Sequence, residues 1–181
     1  MSNVVEVEDM RFTFPESWHV EDFDSWYGDG NGPKPLTHDP FRAKDCDLLA
    51  LEGETLWLIE VKDYTYLGRK VPKDLPTEFA LKVFHTLARL MAVAHFGDHE
   101  KKEFSRKAIC AQRIRVALAV ELRGRDRDLK IALAHLRDRL NQECAEMKLS
   151  HVLVSNSRCQ YSSIDWKQER IPESRLNHVD R

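Results

Sequence analysis

Residues 44–64 read KDCDLLALEGETLWLIEVKDY, two apolar runs separated by Gly53-Glu54. A glycine-first, two-residue connection between such runs predicts a tight type II′ hairpin. With Gly53 and Glu54 as the turn, Glu52 faces Thr55, Leu51 faces Leu56, Leu49 faces Leu58 and Asp47 faces Glu60. Side chains alternate along a strand with period two, so Glu60 and Lys62 share a face with Leu56 and Leu58. The two carboxylates would stand with Cβ atoms about 4.5–5.5 Å apart, which is destabilising unless a proton or a cation lies between them.

The triplet (D/E)-x-K has little meaning alone, because it starts at Glu60, Glu100, Asp128, Glu146 and Asp165. The copy at Glu60 differs by its setting in LWLIEVKDY, where burying charge is costly without compensation. A divalent ion would remove the repulsion between Asp47 and Glu60, and hard oxygen ligands suit Mg²⁺ or Mn²⁺. Such an ion polarises a phosphodiester and acidifies a bound water, while Lys62 would orient or help deprotonate that water and neutralise charge on phosphorus. The alternative is a solvent-facing ladder of salt bridges in which Asp45 opposes Lys62. Against it, the leucines on the same face extend an apolar surface.

Outward from the hairpin, the stretch before Trp26 reads as one or two short strands broken at Pro15, and Tyr27 to Pro40 as a mobile loop rich in Gly and Pro. Apolar positions at spacings of three and four predict a helix over Thr77 to Phe96, capped by Thr77 and stopped by Gly97. A basic helical stretch over Glu100 to Gln112 leads to IRVALAVEL, read as a strand buried on both faces. A helix over Leu129 to Met147 and a short strand in SHVLVSN follow, then a polar tail from about residue 156. The order of elements predicts one α/β domain spanning residues 1–181.

The segment from Lys44 to Leu122 resembles the PD-(D/E)XK nuclease superfamily, the restriction-endonuclease-like fold, in which one strand supplies an aspartate, the next (D/E)-x-K, and a helix and strand follow. Asp47, Glu60 and Lys62 match the motif; Cys46 stands where proline usually precedes the first acid. The resemblance implies a mixed β-sheet flanked by helices, and a magnesium-dependent hydrolase cutting phosphodiesters in nucleic acid, DNA before RNA. It also implies an N-terminal metal-binding glutamate, for which Glu16 is the candidate to join Asp47 and Glu60. On the helix after the lysine, Lys82, His85 and Arg89 lie near one stripe with Glu78, where relatives contact substrate phosphate. A catalytically silent nuclease fold, serving as a binding or scaffold subunit, is the alternative.

Composition narrows the remainder. The 181 residues carry a net charge of −2, which argues against a dedicated nucleic-acid coat protein. Residues 1–60 hold 14 acidic and 4 basic residues while the later residues are basic in balance, so a basic face opposite an acidic site is compatible with the sequence. The four cysteines are scattered, without a C-x-x-C pair, and read as reduced thiols. With no apolar run of bilayer length and no secretory signal, the expectation is a cytoplasmic protein without a membrane. No separate sequence-reading module is recognisable. Specificity would come from a partner protein or from substrate structure, and a homodimer is left open.

Overall fold

The structure is a computed structural model that describes residues 3–27, 44–96, 101–149, 151–159 and 163–171. The expected loop at 27–40 lies, beyond Tyr27, outside the described residues, as does the expected helix stop at Gly97. In chain order the elements are β1 (Asn3–Val7), β2 (Met10–Phe14), β3 (His19–Asp22), a 3-10 turn (Asp24–Tyr27), β4 (Leu48–Glu52), β5 (Thr55–Asp63), α1 (Leu75–Phe96) and α2 (Lys101–Ile109). Next come β6 (Arg113–Glu121), α3 (Asp126–Cys144), a 3-10 turn (Ala145–Met147), β7 (Leu153–Ser155) and β8 (Lys167–Arg170).

The main sheet has the order β3-β4-β5-β6-β7. Its first three strands are antiparallel, whereas β5, β6 and β7 run parallel. Parallel neighbours need crossovers, and α1 with α2 carries the chain from β5 to β6 as α3 does from β6 to β7. The hairpin register is as expected: Leu48 opposes Ile59, Leu49 opposes Leu58 and Glu52 opposes Thr55. Gly53 has φ +55°, and Glu54 is not among the residues with positive φ, as a type II′ turn requires.

Alternation divides β4 and β5 between two cores. Leu49, Leu51, Leu56 and Leu58 pack with Phe79, Val83, Leu90 and Leu133 of the helical layer. Leu48, Ala50, Trp57, Ile59 and Val61 face the opposite way. The mixed sheet is thus flanked by helices on one face, and among the described residues no helix covers the second. A small antiparallel sheet, β1-β2-β8, packs there through Met10, Phe12, Phe14 and Trp166. Trp18 and Trp57 stack with ring centroids 5.8 Å apart, and Trp166 meets Trp57 edge-on at 5.1 Å.

Further differences concern the termini. The N-terminal segment forms three strands in two sheets rather than one or two strands. Residues 163–171 are not a polar tail, because they carry β8 and bury Trp166 and Gln168. Strand β6 is buried only from Val116 onward, its first three residues being exposed. Helix α1 begins at Leu75, two residues before the expected cap, with Pro76 in the first turn, where its missing N–H costs nothing. Among the described residues α1 is the one helix long and apolar enough to span a bilayer. Phe79, Val83, Leu90 and Val93 nevertheless build it into the core.

Candidate active site

The site forms where the entry to β4, the second half of β5 and the middle of α1 converge. Strand β4 starts at Leu48, so Asp47 lies one position before the ladder. Its carboxylate continues the pairing in place of a backbone carbonyl: Val61 donates its N–H to Asp47 Oδ2 at 2.6 Å. Asp47 and Glu60 are thereby brought together at the end of the hairpin, as the register demands. Both are buried, Glu60 to 1% exposure.

The compensating charge comes from the protein itself. Lys82 of α1 places Nζ 2.6 Å from Glu60 Oε1 and 2.8 Å from Oε2, and 3.8 Å from Asp47 Oδ1. Lys62 Nζ lies 2.7 Å from Glu60 Oε1, donates to its neighbour's Val61 carbonyl oxygen at 2.8 Å, and stands 3.7 Å from Glu8. Two carboxylates and two ammonium groups thus share one largely dry corner.

These neighbours shift each other's proton affinities. Burial, reinforced by Asp47, pushes the Glu60 carboxyl up to about 7 despite the opposing pull of Lys82 and Lys62. Burial disfavours the charged ammonium of Lys62, but Glu60 and Asp47 outweigh it and raise its pKa above the usual lysine value. Lys82 moves in the same direction for the same reasons.

The other residues of the α1 stripe dock the chain entering β4. Arg89, 4% exposed, holds Asp45 at 2.9 Å, a pairing in which the guanidinium is too buried to meet a polymer. Asp45 accordingly does not oppose Lys62. His85 Nδ1 lies 3.2 Å from the Lys44 backbone N and 3.3 Å from its carbonyl oxygen. Thr86 Oγ1 accepts from Cys46 N–H at 2.9 Å and donates to the Lys82 carbonyl at 2.8 Å, and Glu78 stands 3.5 Å from Lys44 Nζ. This zipper sets the position of Asp47. Lys82 itself is turned to the carboxylates.

Glu16 is not part of the site. It sits in the turn before β3, and β3 runs from His19 opposite Leu51 to Asp22 opposite Leu48, which puts Glu16 at the far, hairpin-turn end of the sheet. The acids that do approach are Glu8, beside Lys62, and Asp24, beside Asp47. Phe23 N–H donates to the Asp47 carbonyl at 2.9 Å, and the Asp24 carboxyl is raised above its usual value by partial desolvation and by Asp47, against the pull of Lys82. Its only signal in the sequence is the acidic run Glu21, Asp22, Asp24 within WHVEDFDSW.

Asp47 and Glu60 supply the hard oxygen atoms that suit Mg²⁺ or Mn²⁺, so the donor chemistry fits. The number of ligands does not reach three: among the described residues no group of three or more His, Cys, Asp or Glu side chains is assembled to hold a metal. Lys82 stands between the two acids where such an ion would bind, and is a resident competitor for it.

Neither a known protein family nor a solved structure matches this chain. A cysteine–tRNA ligase of Neisseria meningitidis serogroup A / serotype 4A (strain DSM 15465 / Z2491) is similar to it, with 26% identity over 198 residues. The match takes in 94% of the chain, which spans 28% of the length of that relative.

Proposed function

We propose that the chain is a metal-dependent nuclease of the PD-(D/E)XK kind, with Asp47, Glu60 and Lys62 as its active site. The observation that carries this reading is the convergence of Asp47, Glu60 and Lys62 at one end of the β4–β5 hairpin, on the face toward the crossover helix. The topology supports it: an antiparallel hairpin, a crossover helix and a parallel strand follow in the order the restriction-endonuclease-like fold uses. Asp47 and Glu60 would hold Mg²⁺ or Mn²⁺, which when bound polarises a phosphodiester oxygen and acidifies a water. Lys62 stays protonated, given its raised pKa, so its role is to hold the attacking water and offset charge developing on phosphorus rather than to remove a proton.

Nucleic acid is the substrate class, and DNA and RNA both belong in the screen, RNA because the similar protein is by name a ligase of tRNA. Incubating labelled DNA and RNA oligonucleotides with Mg²⁺ or Mn²⁺ should yield cleavage by the wild type and none by Lys62→Ala. Equal cleavage by both would remove the assignment.

A second reading has an observation of its own. Lys82 already neutralises the two carboxylates, and a silent nuclease fold acting as a binding or scaffold subunit could retain that arrangement as structure. Titration of Mn²⁺ by calorimetry separates the readings: binding lost in Asp47→Ala favours the enzyme, and no binding by the wild type, with or without oligonucleotide, favours the scaffold.

A further inference from the structure

The carboxyl ends of the parallel strands β5 and β6, where Asp63 pairs with Glu121, open into a second feature. A cleft of about 320 Å³ is lined there by Thr65, Glu121, Arg123, Ser157, Arg158 and Arg170. In open α/β sheets the crevice beyond the carboxyl ends of parallel strands is where ligands bind. Thr65 is three residues beyond Lys62, so the cleft begins within roughly 10 Å of the catalytic lysine along the backbone.

Its cations are held in place by backbone carbonyls and, at Arg158 and Arg170, by carboxylates as well. Arg158 donates from Nη1 to the Gly124 carbonyl at 3.1 Å and from Nη2 to the Leu122 carbonyl at 3.2 Å, with Asp126 3.3 Å away. Arg123 Nε donates to the Thr65 carbonyl, and Arg170 Nε meets Asp63 Oδ2 at 3.1 Å. Arg69 donates to the Asp63 carbonyl at 3.3 Å, and its guanidinium lies over the Tyr66 ring at 5.4 Å, as that of Arg170 does at 5.6 Å. The acids beneath, Asp63 and Glu121, are 1% and 3% exposed, whereas Asp126, beside Arg158, meets solvent. Arginine forks, hydroxyls and a partly buried aromatic ring form a surface matched to phosphodiester oxygens and bases.

We propose that this cleft is a phosphate-binding subsite that carries the nucleic-acid strand away from the scissile phosphate. It rests on the nuclease reading for the location of the cut, but binding itself needs neither metal nor turnover. The shared ligand chemistry is a run of backbone phosphates, from DNA or from RNA.

The test is fluorescence anisotropy of labelled single-stranded DNA and RNA oligonucleotides on the full chain in EDTA, across a series of salt concentrations. Arg123→Gln with Arg158→Gln should weaken binding tenfold or more and make the dependence of log K on log salt shallower by about 1.4, as for two single-strand phosphates at about 0.7 each. Lys102→Gln with Lys107→Gln on α2, at the other edge of the sheet, should change little. If the double arginine variant is misfolded by circular dichroism, Arg123→Gln alone, at an exposed side chain, carries the test with a several-fold loss expected. Unchanged affinity, or no binding of either oligonucleotide by the wild type, overturns the subsite. Hydrolysis of bis(p-nitrophenyl) phosphate with Mn²⁺, compared between wild type and Lys62→Ala, reads the catalytic assignment separately, because so small a diester needs no strand-binding cleft.

Discussion

Glu60 on β5 and Glu121 on β6 are both buried carboxylates near the carboxyl ends of adjacent parallel strands, yet their surroundings are opposite. Glu121 is saturated by neutral donors: Asn156 Nδ2 at 3.1 Å, Ser157 N–H at 2.7 Å, Ser157 Oγ at 2.9 Å and Gln168 Nε2 at 3.0 Å. Those donors come from the chain after β7 and from β8, so Glu121 fastens the small sheet to the large one. Glu60 faces another carboxylate and is held by two ammonium groups, with its proton affinity displaced to near neutrality. Neutral, directional donors make a carboxylate a structural anchor. A like charge and two side-chain ammonium groups instead displace its proton affinity, a mark that clusters at functional sites.

The largest expected effect tests the chemical side of this contrast. Lys62→Ala should reduce phosphodiester cleavage about 10²- to 10³-fold while Mn²⁺ binding by calorimetry stays near wild type, since removing a donor aimed at developing charge costs on that order. Asp47→Ala should weaken both. Glu121→Ala should instead act on folding, lowering stability by about 2–4 kcal/mol in urea denaturation by leaving buried donors without an acceptor. A Glu121→Ala variant with full stability and lost turnover would reverse the two roles.

The pH dependence is smaller and has a definite sign. The Glu60 carboxyl titrates near 7 in the folded chain and near 4.5 unperturbed, so between those values the native state binds more protons than the unfolded state. Its contribution to stability is therefore greatest below about 4.5 and is lost as pH rises through 7, an amount of order 1–3 kcal/mol. Urea midpoints of the metal-free protein from pH 5 to 8 should fall more steeply for wild type than for Glu60→Gln. Parallel curves would mean that Glu60 is as well compensated as its neighbour on β6. The smallest effect concerns the competing cation: Lys82→Gln should tighten Mn²⁺ binding by about tenfold, because the acids lose their internal counter-charge. Weaker binding in that variant would make Lys82 a support of the metal site rather than a rival to it.

Much of the site is legible in the amino-acid sequence. The Gly53-Glu54 turn sets the hairpin register, period-two alternation puts Glu60 and Lys62 on one face, and the meeting of Asp47 with Glu60 follows arithmetically. The stripe on α1 is legible as a stripe, but its meaning is not. Glu78, Lys82, His85 and Arg89 could face solvent, substrate or the chain, and only docking against residues 44–47 determines which. The succession of strands and helices is likewise carried by local pattern, whereas the covering of the second face by β1, β2 and β8 depends on strands about 150 residues apart.

The sequence by itself determined the hairpin, its two facing carboxylates, the helices α1 and α3 and the presence of strand β6, because each follows from spacing within one or two adjacent elements. Tertiary structure decided that Lys82 lies between the acids, that Asp24 rather than Glu16 approaches them, and that Arg123, Arg158 and Arg170 meet at one cleft. These are contacts between elements distant in the chain, and packing of the sheet against its two layers brings them together where no local periodicity records it.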